Sequence, residues 1–206
     1  MKSIIFKLSF ILISLSWAPT LHAALIITEV MANPDSLSDD DGEYFEVFNT
    51  GSIAIDISTL TISDEGSDSV DLSGLSGTIG AGDFAVFGRT GLSYVDFVYG
   101  SGFRLANGAD EIIITNTADS MEISRLNYTD GDPFGVGVSI VLNDLANAVG
   151  GETVESDYIA EIAANSTLPS SDIGSPGSFG LTVPEPSSAL LLMLGCMGGL
   201  ARRRRD

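Results

Sequence analysis

The sequence predicts an all-β sandwich or barrel, on three observations. Short runs rich in Val, Ile, Phe, Tyr and Thr recur between turn residues; Gly, Asp and Asn punctuate them at regular spacing; and the central part of the chain holds no convincing helix of ordinary length. The runs are "LIITEV" (25–30), "YFEVFN" (44–49), "STLTIS" (58–63), "FAVFG" (84–88), "YVDFVY" (94–99), "EIIIT" (111–115), "MEISRLNY" (121–128) and "VSIVL" (138–142). In "YFEVFN", Phe45 and Val47 alternate with Tyr44, Glu46 and Phe48, which predicts a central strand with one apolar face and one face of aromatic rings around a carboxylate. "EIIIT" is continuous enough to be buried on both sides, and "NDLANAV" (143–149) has room for a turn or two of helix.

Both ends of the chain stand apart from this β body. At the start, Lys2 and Lys7 accompany an apolar stretch that ends in Pro19 and a small residue, Ala23. That is the layout of a secretory signal peptide, residues 1–23, cut by signal peptidase after Ala23. At the other end, Ala189 to Ala201 is apolar and is followed by Arg202, Arg203, Arg204 and Arg205. As a helix this run reaches about 20 Å, short of a hydrocarbon core of about 30 Å, and the arginines would hold its end on the cytoplasmic side. The chain therefore divides into a signal helix, a body over 24–180, and a linker with a short apolar tail helix over 181–206. Residues 165–183, rich in Ser, Pro and Gly, read as a closing turn and then a linker.

Charge and composition exclude several function classes. The whole chain has 9 Lys and Arg against 28 Asp and Glu. Six of the bases lie in the two ends, and only Glu185 and Asp206 of the acids do, so residues 24–183 carry Arg89, Arg104 and Arg125 against 26 acids, a net of −23. Such a surface repels phosphate backbones and excludes nucleic acid as a partner, while it attracts cations. His22 lies in the signal and Cys196 in the tail, so the body has no histidine, lysine or cysteine. Ser-His-Asp and Cys-His catalysis, histidine zinc sites, lysine Schiff bases and disulfides are all excluded. A pair of carboxylates acting on a polysaccharide is the one hydrolytic chemistry left, and the expectation is no enzyme.

The richest candidate site is "NPDSLSDDDGEYFE" (33–46), where Asp35, Asp39, Asp41 and Glu43 are candidate Ca²⁺ ligands, hard oxygen donors around Gly42. The EF-hand template does not fit: with Gly42 sixth, Leu37 is first and Phe48 twelfth, and neither is a ligand. The competing reading is a set of solvated acidic turns. Glu29, Glu46 and Asn49 are polar residues on apolar strands, and a buried carboxylate needs a partner; the arginines are the cationic candidates. A carbohydrate-binding or adhesion module is a further possibility if Tyr94, Phe97 and Tyr99 point outward to stack on sugars.

Two resemblances add to this reading. The closing Pro184-Glu185-Pro186, apolar run and arginine cluster resemble the PEP-CTERM sorting signal of Gram-negative bacteria. That resemblance implies transient membrane tethering, recognition and removal by an exosortase, delivery to the cell surface or extracellular matrix, and an association with exopolysaccharide and biofilm. In the body, "IITEVMANP" (26–34), "GEYFEVFNTGS" (42–52), "DISTLTISD" (56–64), "TIGAGDFAVFGR" (78–89), "LANGADEIIITN" (105–116) and "DIGSPGS" (172–178) resemble, in that order, the lamin-tail domain. This implies an immunoglobulin-like β-sandwich over about residues 24–180. Leu60 and Tyr44 stand where that family often has tryptophan, and both keep the apolar character.

Overall fold

The computed structural model describes residues 25–129, 135–148 and 150–179. The signal helix, Ala23, the sorting residues Pro184, Glu185, Pro186 and Arg202 to Arg205, and the tail helix lie outside the described residues. Among the described residues no helix is long and apolar enough to cross a membrane.

The described chain is mostly β. Its strands are β1 (Leu25–Met31), β2 (Tyr44–Asn49), β3 (Ile55–Asp56), β4 (Leu60–Ser63), β5 (Ser69–Asp71), β6 (Thr78–Ile79), β7 (Phe84–Gly88), β8 (Phe97–Val98), β9 (Asp110–Asn116), β10 (Glu122–Tyr128), β11 (Ile140–Leu142), β12 (Glu152–Val154) and β13 (Tyr158–Ala160). One α-helical turn, α1 (Asp39–Gly42), and short 3-10 turns complete it. Two main sheets form, in the orders β13-β11-β1-β2-β7-β8 and β12-β10-β9-β4-β5, with β3 and β6 as a separate pair. Both are mixed: β7–β8 and β10–β12 run parallel and the other pairings are antiparallel.

Alternation along the strands explains why the sheets share a core. Leu25, Ile27 and Val30 of β1, Phe45 and Val47 of β2, and Ala85 and Phe87 of β7 meet Leu60, Ile62, Ile112, Ile114 and Leu126 from the other sheet in one buried cluster. An aromatic group fills one part of it, with Phe45 stacked on Phe87 at 5.3 Å and contacting Tyr99 and Phe103 at 6.0 and 6.4 Å. Such offset and edge contacts add to the area these rings withdraw from water.

Several sequence expectations hold in detail and others shift. β2 is central, between β1 and β7, as its alternation predicts. The expected strand over 94–99 shortens to Phe97–Val98, because Asp96 stands in for a strand partner: its Oδ2 accepts the Val86 N–H at 2.9 Å and its own N–H donates to the Val86 carbonyl. Of the rings in that stretch, Tyr94 is half-buried and packs edge-on to Tyr44, Phe97 is half-buried and packs on Phe87, and Tyr99 is buried against Phe103. The turn expected near 143–149 is a 3-10 segment, Leu145–Ala148.

The closing segment of the body covers one face of the sandwich: residues 161–179 lie against the outer face of the first sheet. There Leu168 joins Met31, Tyr44 and Val86 in a second apolar cluster. Phe179 makes edge-to-face contacts with Phe48 at 4.9 Å and Phe84 at 4.6 Å.

The shared core makes a stability prediction. Phe45 is fully buried among three rings, so Phe45→Ala is expected to lower unfolding free energy by about 3–5 kcal/mol, read from chemical denaturation of the body.

Candidate functional site

The outer face of the first sheet carries the least expected chemistry. β1 contains a bulge: Ile27 pairs with Val47 and Glu29 with Glu46, leaving Thr28 as the extra residue. A bulge re-aims the side chains beside it. Here it lets Thr28 and Glu29 both reach the face of β2 that bears Tyr44 and Glu46. Thr28 Oγ1 donates to Glu46 Oε1 at 2.6 Å, and Tyr44 Oη donates to Glu29 Oε1 at 2.6 Å.

The segment 161–179 closes over this pair. Glu29 Oε1 also accepts from Ser139 Oγ at 2.6 Å and from the Ser175 N–H at 2.8 Å. Glu46 Oε2 accepts the Gly177 N–H. Ser175 Oγ donates to Glu161 Oε2 at 2.6 Å, which places a third carboxylate beside Glu29. Glycine is required where the segment touches down: a Cβ on Gly174 would stand 2.2 Å from Tyr44 Oη, and Gly177 has φ +90°.

These carboxylates find hydroxyl and backbone donors, not arginines, which corrects the expected pairing. Arg89 goes to Asp40 at 2.6 Å and Glu43 at 3.6 Å, and Arg125 to Glu65 and Glu122 at 2.9 and 3.0 Å. Asn49 is also satisfied without charge, donating to the carbonyls of Ile53 and Ile79 and accepting the Gly51 N–H. Without a cation, desolvation dominates the buried acids. It raises Glu29 above its ordinary value and takes Glu46 up to about 8, against the opposing hydrogen bonds from Thr28 and Gly177 and with a further push from the Glu29 charge.

The acidic loop is arranged for structure. Asp41 Oδ2 accepts from Ser38 Oγ at 2.9 Å, Asp39 Oδ2 accepts from Asn107 Nδ2 at 3.0 Å, and the Asp35 and Ser36 N–H groups donate to Asp172 Oδ1. Glu43 is buried, with Oε2 accepting the Leu105 N–H at 3.1 Å, and burial pushes it up to about 7. The structure therefore does not gather Asp35, Asp39, Asp41 and Glu43 into a Ca²⁺ cage. Among the described residues no group of three or more His, Cys, Asp or Glu side chains is disposed to hold a metal. A helical turn fans successive side chains about 100° apart, and Glu43 faces inward.

Sequence reasoning singled out Glu29 and Glu46 but missed Thr28, Ser139, Glu161 and Asp172, whose partners lie 14 to 137 residues away. One signal was available: "DIGSPGS" already contains Ser175 and Gly177 as a closing motif.

The body consists of two mixed sheets on a common core, with a closing segment hydrogen-bonded to buried strand carboxylates. The chain belongs to the lamin tail domain family, whose pattern matches residues 19–130. The PEP-CTERM protein-sorting motif matches residues 182–205 and marks an exported protein that an exosortase processes. No curated protein matches the chain. The family match ends before Ser139, Ser175 and Gly177, although these residues complete the environment of Glu29 and Glu46.

Stability should depend on pH with a defined sign. Glu46 at about 8 and Glu43 at about 7, both above an ordinary 4.5, mean that the folded protein holds protons the unfolded chain has released. Their stabilisation is complete below about 4.5 and is lost as pH rises through 7 to 8, at up to about 1.4 kcal/mol per pH unit for each full proton. Thermal melts are expected to give a higher midpoint at pH 5 than at pH 8.5. Glu46→Gln, whose amide can donate to Thr28 Oγ1 and accept from Gly177 as the protonated acid does, should flatten that profile and raise the midpoint at pH 8.5. An unchanged slope in the variant would contradict the assignment.

Proposed function

We propose that this chain is a non-enzymatic surface or matrix protein of a Gram-negative bacterium. Signal peptidase removes residues 1–23 after Ala23, and an exosortase then cuts the tail near Pro184-Glu185-Pro186. An immunoglobulin-like lamin-tail sandwich is released to the cell surface or the extracellular matrix, in association with exopolysaccharide.

The match of the sorting motif to residues 182–205 carries this reading. Three features support it. The body lacks histidine, lysine and cysteine, which removes the usual nucleophiles and bases. The buried acids Glu29 and Glu46 are engaged in hydrogen bonds that hold the closing segment. The net charge of −23 over residues 24–183 keeps the released body soluble and away from nucleic acid.

Sorting is tested by replacing Arg202 to Arg205 with neutral residues in a host that makes an exosortase. Full-length protein should accumulate in the envelope fraction, while the wild-type chain appears outside with a C-terminus near Pro184 by mass spectrometry. Release of the variant in the same processed form would overturn the sorting role of the arginines.

A further inference from the structure

Asn107 is the only asparagine of the chain that is followed by glycine. The fold sets this pair at the tip of the loop that leads into β9, between residues that are pinned. The Leu105 N–H donates to Glu43 Oε2 at 3.1 Å, the Ala106 N–H donates to Asp110 Oδ2 at 2.7 Å, and the Ala106 carbonyl accepts from Tyr128 Oη at 2.9 Å. At the tip, Asn107 is exposed and Gly108 half-exposed. Among the described residues the Gly108 N–H donates to no acceptor. The tip is tied to the rest of the body by Asn107 Nδ2, which donates to Asp39 Oδ2 of α1 at 3.0 Å.

The fold does not require glycine at 108. A Cβ there would meet nothing within 4 Å, and the backbone does not lie in the left-handed region that favours glycine. What the absent side chain leaves is an unshielded, unbonded backbone nitrogen next to a side-chain amide. Asp41-Gly42 offers a contrast, with a carboxylate at the same spacing. There the Gly42 N–H is held by the Ser38 carbonyl at 2.8 Å, and a Cβ would stand 2.8 Å from Pro34.

We propose that Asn107 is a self-modification site, converted with water to aspartate and isoaspartate, and that the conversion releases the loop tip from α1. The Gly108 nitrogen gives up its proton to hydroxide and attacks Asn107 Cγ. The new N–Cγ bond closes a five-membered imide while the Cγ–Nδ2 bond breaks, and Nδ2 takes a proton from water and leaves as ammonia. Water then opens the imide. Attack at Cγ breaks the new bond and gives aspartate; attack at the backbone carbonyl carbon of residue 107 breaks the original peptide bond and gives isoaspartate. Either product carries a carboxylate in place of the amide, with no N–H for Asp39 to accept. It sets a second negative charge against Asp39, beside Asp40 and Asp41, where like charges repel.

The test keeps the full-length chain, folded in detergent, at pH 7.4 and 37 °C for several weeks beside a sample unfolded in guanidinium chloride. Peptide mass spectrometry and an isoaspartyl methyltransferase assay read positions 41 and 107. Asn107 should convert in the folded chain at a rate within threefold of that in the unfolded chain, while Asp41 stays unmodified in the folded one. Gly108→Ala, which the open space accommodates, should slow conversion at least tenfold and leave the melting midpoint unchanged. Retention of the amide in the folded chain while the unfolded chain loses it, or conversion of Gly108→Ala at the wild-type rate, would overturn the site. Release of the tip is read by hydrogen exchange at Asp41, Gly42 and Glu43, whose N–H groups bond to the carbonyls of Ser38 and Asp39. Exchange there should be faster in Asn107→Asp than in Asn107→Ala, since both lose the hydrogen bond and only the first adds charge, and high salt should narrow the difference. Wild-type protection of these amides in Asn107→Asp would overturn the release.

Discussion

One carboxylate oxygen, Oε1 of Glu29, receives hydrogen bonds from Tyr44, Ser139 and the backbone of Ser175. Through it β1 is joined to β2, to the residue that leads into β11, and to the segment that covers the sheet. The acid is buried without a cation, so every one of those donors offsets a desolvation cost that would otherwise disfavour the fold. Removing a donor leaves the charge short of partners, whereas the assembled set specifies one register for β1, because only the bulge at Thr28 brings Thr28 and Glu29 to the same face. The polar cluster thus selects an arrangement that the apolar core alone would leave less defined.

The two faces of the first sheet do different work. Its inner face, with Phe45, Val47 and Phe87, builds the core that it shares with the second sheet, and this burial supplies the bulk of the stabilisation. Its outer face is half polar and needs a cover, which residues 161–179 provide by apolar contact at Leu168 and Phe179 and by hydrogen bonds at Ser175 and Gly177. The cover leads directly into the sorting tail. The last described residue, Phe179, rests on rings of β2 and β7, strands from the first half of the chain.

The acidic residues divide by burial. Asp39, Asp40 and Asp41 act locally, holding α1 against Asn107, Arg89 and Ser38, while Glu43 turns inward to the backbone of Leu105. Arg125 ties Glu65 to Glu122 across β10, an exposed network whose contribution is small by comparison. Most of the remaining negative charge faces water, where it governs solubility and the choice of partners rather than the fold.

The sequence by itself determined the all-β class, the central place of β2 and the sorting tail, because each is written in short-range signals: alternation with period two, turn residues between runs, and three tail elements in order. It also marked Glu29 and Glu46 as polar residues needing partners. Only the tertiary structure decided who those partners are, how Tyr94, Phe97 and Tyr99 pack, that the acidic loop separates its carboxylates, and which face 161–179 covers. The partners of Glu29 lie up to 146 positions away, the packing of the rings and the bonds of the acidic-loop carboxylates join residues up to 68 apart, and a single-residue bulge changes which way side chains point. None of this is encoded in local periodicity, since which distant hydroxyl meets a buried acid is settled by how the sheets and the closing segment pack.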